Sequence, residues 1–232
     1  MKHIFKSSTF TFLLIALAGL TTITSCSKHS DYDFTGTATA NVRLVNTSTD
    51  AGPSKLYLND VLRTTNAVSY GTASGYSQTY IADNTIAVQS ASGTMLASSS
   101  ASLDADGNYT YFLTGASGNY AILTSYDNTT TPTAGKAKVR FVQAASGLAS
   151  ANLLGNGVSL FAAQSFKAVT NYMEVTAGTF VFTVTSPGSE ITLASSTSTT
   201  LQAGKSYIIY TSGISGATGT NALTVNVLST NQ

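Results

Sequence analysis

The most constraining feature of this sequence is an internal repeat with a spacing of about 97 residues. Asn41-Val-Arg-Leu-Val-Asn46 matches Lys138-Val-Arg-Phe-Val-Gln143, and Leu96-Ala-Ser-Ser-Ser100 matches Leu193-Ala-Ser-Ser-Thr197. Tyr109 to Gly115 matches Tyr207 to Gly213, and Tyr76 pairs with Tyr172 at nearly the same offset. The matches keep their order and spacing, and a period this long makes each repeat a whole domain rather than a solenoid unit. Asp127 to Gly135 is polar and punctuated by Pro132 and Gly135, which marks a boundary. The expected division is repeat one over 39–127, a linker over 128–135 and repeat two over 136–232.

Within each repeat the apolar period is two. Phe180, Phe182 and Val184 share one face, as do Ile86 and Val88, with Thr85, Ala87 and Gln89 opposite. Alternation of this kind marks half-buried strands. Turn signals separate them: Asn59-Asp60, Ser92-Gly93, Asp106-Gly107, Asn156-Gly157, Ala177-Gly178, Pro187-Gly188 and Ala203-Gly204. Ser and Thr make up roughly three residues in ten beyond residue 25, with many Val, Tyr and Phe, a composition suited to pleated surfaces. The expected fold is all-β: two tandem immunoglobulin-like antiparallel β-sandwiches of about seven strands each, after a cleaved N-terminal signal segment. On this pattern Phe182→Ala costs about 3–5 kcal/mol.

The first 38 residues follow another logic. Lys2 and Lys6 precede a charge-free apolar run, Phe10 to Ile23, too short to span a bilayer but suited to a signal peptide. The run ends Ile23-Thr24-Ser25-Cys26, which resembles a bacterial lipobox. The expected cleavage falls between Ser25 and Cys26, with Cys26 lipidated and residues 26–38 forming a flexible tether. Mature lipoproteins of this type carry two or three acyl chains, and stable anchoring takes at least two. Cys26 is the single cysteine, so no internal disulfide is possible. Lys28, Asp31 and Asp33 are compatible with an acidic surface-export signal or with an ordinary solvated linker.

Three segments, taken in order, resemble the bacterial envelope family called domain of unknown function 4397. They are Val139 to Val142, Tyr172 to Phe180 and Leu201 to Tyr207 in repeat two. Repeat one keeps Val42-Arg43-Leu44-Val45, Tyr76 and Leu103 to Tyr109, but has Asp83-Asn84 and Asp106 near the places of glycines, so it is the more divergent copy. Where the family often has His-Ala-Ser-Pro, this chain has Asn46-Thr-Ser-Thr and Gln143-Ala-Ala-Ser. The resemblance implies tandem β-sandwiches and an envelope location, and it implies no activity.

Candidate chemistry is sparse. Ser or Thr nucleophiles usually need a base such as histidine, and beyond residue 25 only His29 remains, in the tether. Zinc- or copper-type sites need His or Cys clusters, which are absent from the sequence. Asp104-Ala-Asp106-Gly-Asn108 superficially resembles the start of a calcium loop, but its counterpart Gln202 to Ser206 is a turn, and a turn is expected for both. Glu174 and Glu190 are the only glutamates, and Glu174 is expected to face solvent. Tyr57, Tyr70, Tyr80, Tyr120 and Tyr126 are candidates for stacking on sugars, each also readable as a half-buried strand residue with a wet hydroxyl. Arg43 and Arg140 recur at matching places and are expected to be outward-facing charges that blunt strand pairing.

The formal charge is +1 for the whole chain, and about −1 beyond residue 25. There is no basic run, which argues against nucleic acid as a partner. The expectation is therefore a non-catalytic lipoprotein of the bacterial cell envelope, at the outer membrane, with no cofactor and no catalytic or metal site. It would be held to the membrane through its lipid and act as a binding or spacer module toward a glycan or an envelope protein. The alternatives are a glycan-binding accessory protein of polysaccharide uptake and a fimbrial or adhesin-type subunit that exchanges a terminal strand, Ala222 to Leu228.

Overall fold

The computed structural model describes residues 38–230, Glu190 apart. The expected signal segment, Ser25, Cys26, His29 and nearly all of the tether lie outside the described residues.

Repeat one contains eight strands: β1 (Thr39–Asn46), β2 (Ser54–Leu58), β3 (Val61–Leu62), β4 (Ser77–Tyr80), β5 (Asp83–Ser90), β6 (Met95–Ser102), β7 (Asn108–Ala116) and β8 (Asn119–Tyr126). They form two sheets, ordered β4-β1-β7-β8 and β3-β2-β5-β6. Repeat two contains β9 (Lys136–Val142), β10 (Ser150–Gly155), β11 (Val158–Ser165), β12 (Met173–Thr176), β13 (Gly178–Phe180), β14 (Phe182–Thr185), β15 (Thr192–Ser195), β16 (Thr199–Leu201), β17 (Ser206–Ser212) and β18 (Thr224–Ser229). Its sheets are ordered β12-β9-β17-β18 and β11-β10-β14-β15, with β13 and β16 as a separate pair. The topology of repeat one is therefore reproduced in repeat two, with the β5–β6 hairpin broken into two shorter pairings.

The all-β expectation holds, with one refinement. Every strand pair is antiparallel except β1 with β7 and β9 with β17, which run parallel. These two pairs form the centre of equivalent sheets. The turns follow the residue chemistry. Asn59-Asp60 and Asn156-Gly157 have positive φ at both positions, which matches the right-handed twist of the strands they join. Gly115 and Gly213, the glycines that end the matched Tyr segments, have φ of 102° and 88°. A Cβ on either would collide with a backbone carbonyl, that of Asn119 or of Ala222, so the repeat preserves glycine for close approach.

Each sandwich has its own apolar core. In repeat one Val42 and Leu44 meet Leu56, Leu58, Ile86 and Val88 from the facing sheet. In repeat two Val139 and Phe141 meet Leu153, Phe182 and Val184, with Phe180 partly buried against them. This places the expected Phe182 face inward, although Ala87, expected opposite Ile86 and Val88, is also buried.

A third core joins the repeats. Val45, Phe112 and Leu123 of repeat one pack with Val142, Ala144, Ile208 and Tyr210 of repeat two. Alternation explains which residues go where. On β7, Tyr109, Tyr111 and Leu113 enter the sandwich core while Phe112 enters the junction. On β17, Tyr207 and Ile209 enter the core while Ile208 and Tyr210 enter the junction. Both strands are buried on two faces, which is why they read as near-continuous apolar runs.

Candidate functional site

The junction carries the densest buried polar chemistry in the described residues. Arg43 sits on β1 and Arg140 on β9. Neither is the outward-facing charge expected from the sequence: they are 6% and 9% exposed. Their strands face an apolar core on one side and the other repeat on the opposite side, so a residue pointing away from its own core still meets protein.

The two arginines cross the junction reciprocally. Arg43 Nη1 donates to the Ser229 carbonyl at 3.0 Å, and Arg140 Nη1 donates to the Tyr126 carbonyl at 3.0 Å. These acceptors are equivalent, because Tyr126 pairs with Tyr109 on β7 and Ser229 pairs with Tyr207 on β17. The contact is thus isologous, the pattern of a two-fold dimer interface realised within one chain. Each guanidinium also lies over a matched tyrosine, Arg43 at 4.3 Å from the Tyr76 ring and Arg140 at 4.0 Å from the Tyr172 ring.

The acid at this junction comes from one side. Asp127 is 4% exposed and accepts hydrogen bonds from the hydroxyls of Tyr76, Ser125 and Thr110. Its Oδ2 lies 3.8 Å from Arg43 Nη2. Burial pushes its carboxyl above the usual range, against the three hydroxyl donors and the Arg43 charge, which act in the opposite direction. Burial likewise lowers the pKa of Arg140 and pushes Tyr172 up to about 12, the latter helped by the Asp127 charge. Asp127 was expected to close repeat one, and its central role at the junction has no signal in its polar sequence neighbourhood. The signal for the arginines was present: in Val42-Arg43-Leu44-Val45 and Val139-Arg140-Phe141-Val142 both strand faces carry apolar residues.

The linker is fastened rather than free. Lys138 Nζ donates to the Thr130 carbonyl and to the hydroxyls of Thr129 and Thr130, and Glu174 accepts the Thr133 backbone N–H at 2.9 Å. That bond holds the exposed Glu174 carboxyl below its ordinary pKa. Beside the linker lies a polar cleft of about 350 Å³ walled by Asn41, Asn108, Asp127, Asn128, Ser206 and Thr230. Its amides are chained: Asn41 donates to Asn108, Asn108 to Asn128, and Asn128 to the Asp106 carbonyl.

The other sequence candidates are dispersed. Asp104 and Asp106 form a turn closed by the Gly107 N–H on the Asp104 carbonyl. Among the described residues no three His, Cys, Asp or Glu side chains converge as a metal site would require. Tyr57 and Tyr70 are half-buried, and Tyr120 donates to Asp50. Tyr80 is 61% exposed on β4, and Tyr126 is 40% exposed on β8, where its ring contact is with Tyr109 rather than another candidate. At the places of the family's histidine, Asn46 donates to the Gly52 and Val68 carbonyls and Gln143 donates to the Leu148 carbonyl, so both amides tie loops to a strand end. Glu190 lies outside the described residues.

A family model described as "Domain of unknown function (DUF4397)" matches residues 40–150. The matched stretch agrees with the resemblance read from the sequence. The match covers just under half of the sequence and spans repeat one and the start of repeat two, so the copy expected to be more divergent is the one the DUF4397 pattern captures. No curated protein matches the chain. Among solved structures it is similar to a leucine-rich repeat protein from Bacteroides thetaiotaomicron, with 14% identity and a TM-score of 0.20 over 74% of this chain and 25% of that one. It is also similar to a family 26 carbohydrate-binding module from Eubacterium rectale in complex with maltoheptaose, with 11% identity and a TM-score of 0.23 over 84% of this chain and 98% of that one. The chain thus spans about a quarter of the first of these structures.

Proposed function

We propose that this protein is a non-catalytic lipoprotein of the cell envelope whose two repeats work as one rigid binding or spacer module. The junction is the observation that carries the reading. A shared apolar core and two reciprocal arginine contacts join the repeats, so the pair behaves as a single body. The lipobox-like Ile23-Thr24-Ser25-Cys26 supports attachment through lipid. The C-terminal strand is less suited to exchange between subunits, because β18 is held by the Arg43 bond to Ser229 and by two bonds from Thr230 to the Ser206 carbonyl.

Attachment is tested by labelling cells with a palmitate analogue. The wild-type chain is expected to take up label and Cys26→Ala to lose it, and label retained in Cys26→Ala would remove the anchor. Orientation is tested by treating intact cells with a broad protease beside a periplasmic control. Loss of the protein with survival of the control places it outside, and survival until the outer membrane is opened places it in the periplasm.

A further inference from the structure

The junction is symmetric in its donors and asymmetric in its acceptors. By strand register Arg43, Tyr76, Thr110 and Asp127 of repeat one correspond to Arg140, Tyr172, Ile208 and Thr230 of repeat two. In repeat one the acceptors are present: Arg43 Nε donates to Thr110 Oγ1 at 2.7 Å, and Tyr76 Oη donates to Asp127 Oδ2 at 2.7 Å. In repeat two Ile208 has no acceptor to offer, and Thr230 replaces the carboxylate with a hydroxyl that already donates to the Ser206 carbonyl. The two donors those acceptors would serve, Arg140 Nε and Tyr172 Oη, are buried without a hydrogen-bond partner, as is Arg43 Nη2 on the other side, while Arg140 Nη1 also donates to Ser125 Oγ at 2.7 Å. The Tyr172 hydroxyl lies near enough to Thr230 to feel it, but makes no bond of good geometry with it.

Charge points the same way. Two buried guanidiniums share one carboxylate, and that carboxylate stands on the repeat-one side. A buried donor left unpaired costs about 1–3 kcal/mol, more when it is charged. The polar cleft is walled by Thr230, the residue at the place of the missing acid, and by Asp127, but not by Arg140 or Tyr172.

We propose that the junction binds a small monovalent anion beside Arg140 and Tyr172, occupying in repeat two the role that the Asp127 carboxylate fills in repeat one. Chloride and formate share the chemistry, one as a sphere and one as a free carboxylate.

The test is the thermal unfolding midpoint of the purified protein against added chloride or formate, with bulky gluconate holding ionic strength constant. At tenfold over Kd the midpoint is expected to rise by about 3–6 °C. A response to either ion supports the site, and a response to formate alone identifies a planar carboxylate as its ligand. Thr230→Asp supplies the acid internally and is expected to abolish the response while raising the midpoint in gluconate. Tyr172→Phe, which removes one donor, is expected to weaken the response several-fold, and it serves as the reading if Thr230→Asp does not fold. A midpoint indifferent to both ions overturns the proposal. So does a bromide-soaked crystal that shows an ordered water, and no anomalous signal, beside Arg140.

Discussion

On one side of the junction Arg43 pairs in register with Thr110 and has Asp127 within reach, while on the other Arg140 pairs in register with Ile208 and reaches Ser125 across the junction. The strands, the crossing carbonyls and the tyrosines beneath the guanidiniums are the same. The two repeats share the geometry that brings them together and differ in the side chains around it. A buried ion pair balances desolvation against attraction, so the arginine beside the carboxylate and the arginine that reaches it only through Ser125 contribute differently to stability even in the same shape.

The largest expected effect tests the part the two sides share. Phe112→Ala, in the junction, and Phe182→Ala, in the core of repeat two, each remove a fully buried ring. Each is expected to cost about 3–5 kcal/mol in denaturant unfolding. Phe112→Ala should also uncouple the repeats, seen as two transitions where the parent shows one. A cost below 1 kcal/mol for either would contradict its placement.

The arginines separate the two sides. Arg43→Met strands a buried carboxylate and is expected to cost about 3–5 kcal/mol. Arg140→Met removes a guanidinium whose Nε has no partner and is expected to cost less by at least about 1 kcal/mol. Equal losses would show that the asymmetry has no energetic weight. Thr110→Val comes next, at about 1–3 kcal/mol, because it orphans Arg43 Nε and removes one donor from Asp127.

The smallest effect is a pH dependence. The pKa of Asp127 is raised above its ordinary 3.8 in the fold, so the folded state binds its proton more tightly than the unfolded chain. The contribution of this residue to stability therefore grows as pH falls through the raised value toward 3.8. Asp50 opposes it: its burial is outweighed by hydrogen bonds from the Ser117 N–H, Ser48 and Tyr120, its pKa is lowered, and its contribution is lost as pH falls. Asp127→Asn is expected to remove the first trend and leave the second, so its midpoint should fall more steeply than the parent's between neutral pH and pH 4. Parallel curves would show that Asp127 titrates as an ordinary carboxyl.

The repeat, its strands and its turns were legible in the sequence because they are local. Period-two alternation set the Phe182 and Val184 face, and Asn59-Asp60 and Asn156-Gly157 specify their turns by backbone preference alone. The junction was not legible, because alternation shows only that Arg43 and Arg140 point away from their own cores. Whether water or another domain waits there depends on how the two repeats dock, which for Arg43 means a partner 186 residues away in the chain. Asp127 illustrates the same limit: among Asn128, Thr129 and Thr130 it has the composition of a loop, yet the hydroxyls of Tyr76 and Thr110, from other segments, converge on it beside that of Ser125.

The reciprocal carbonyl contacts also set a limit on valency. An interface in which each partner offers the same patch to the other is used up when two copies meet. Arg43 and Arg140 consume the Ser229 and Tyr126 carbonyls of the opposing repeat, leaving no equivalent face for a third. A further repeat, in this chain or another, cannot be stacked on by the same contact. The pair is a terminated assembly, and any longer array containing it must be built through a different surface.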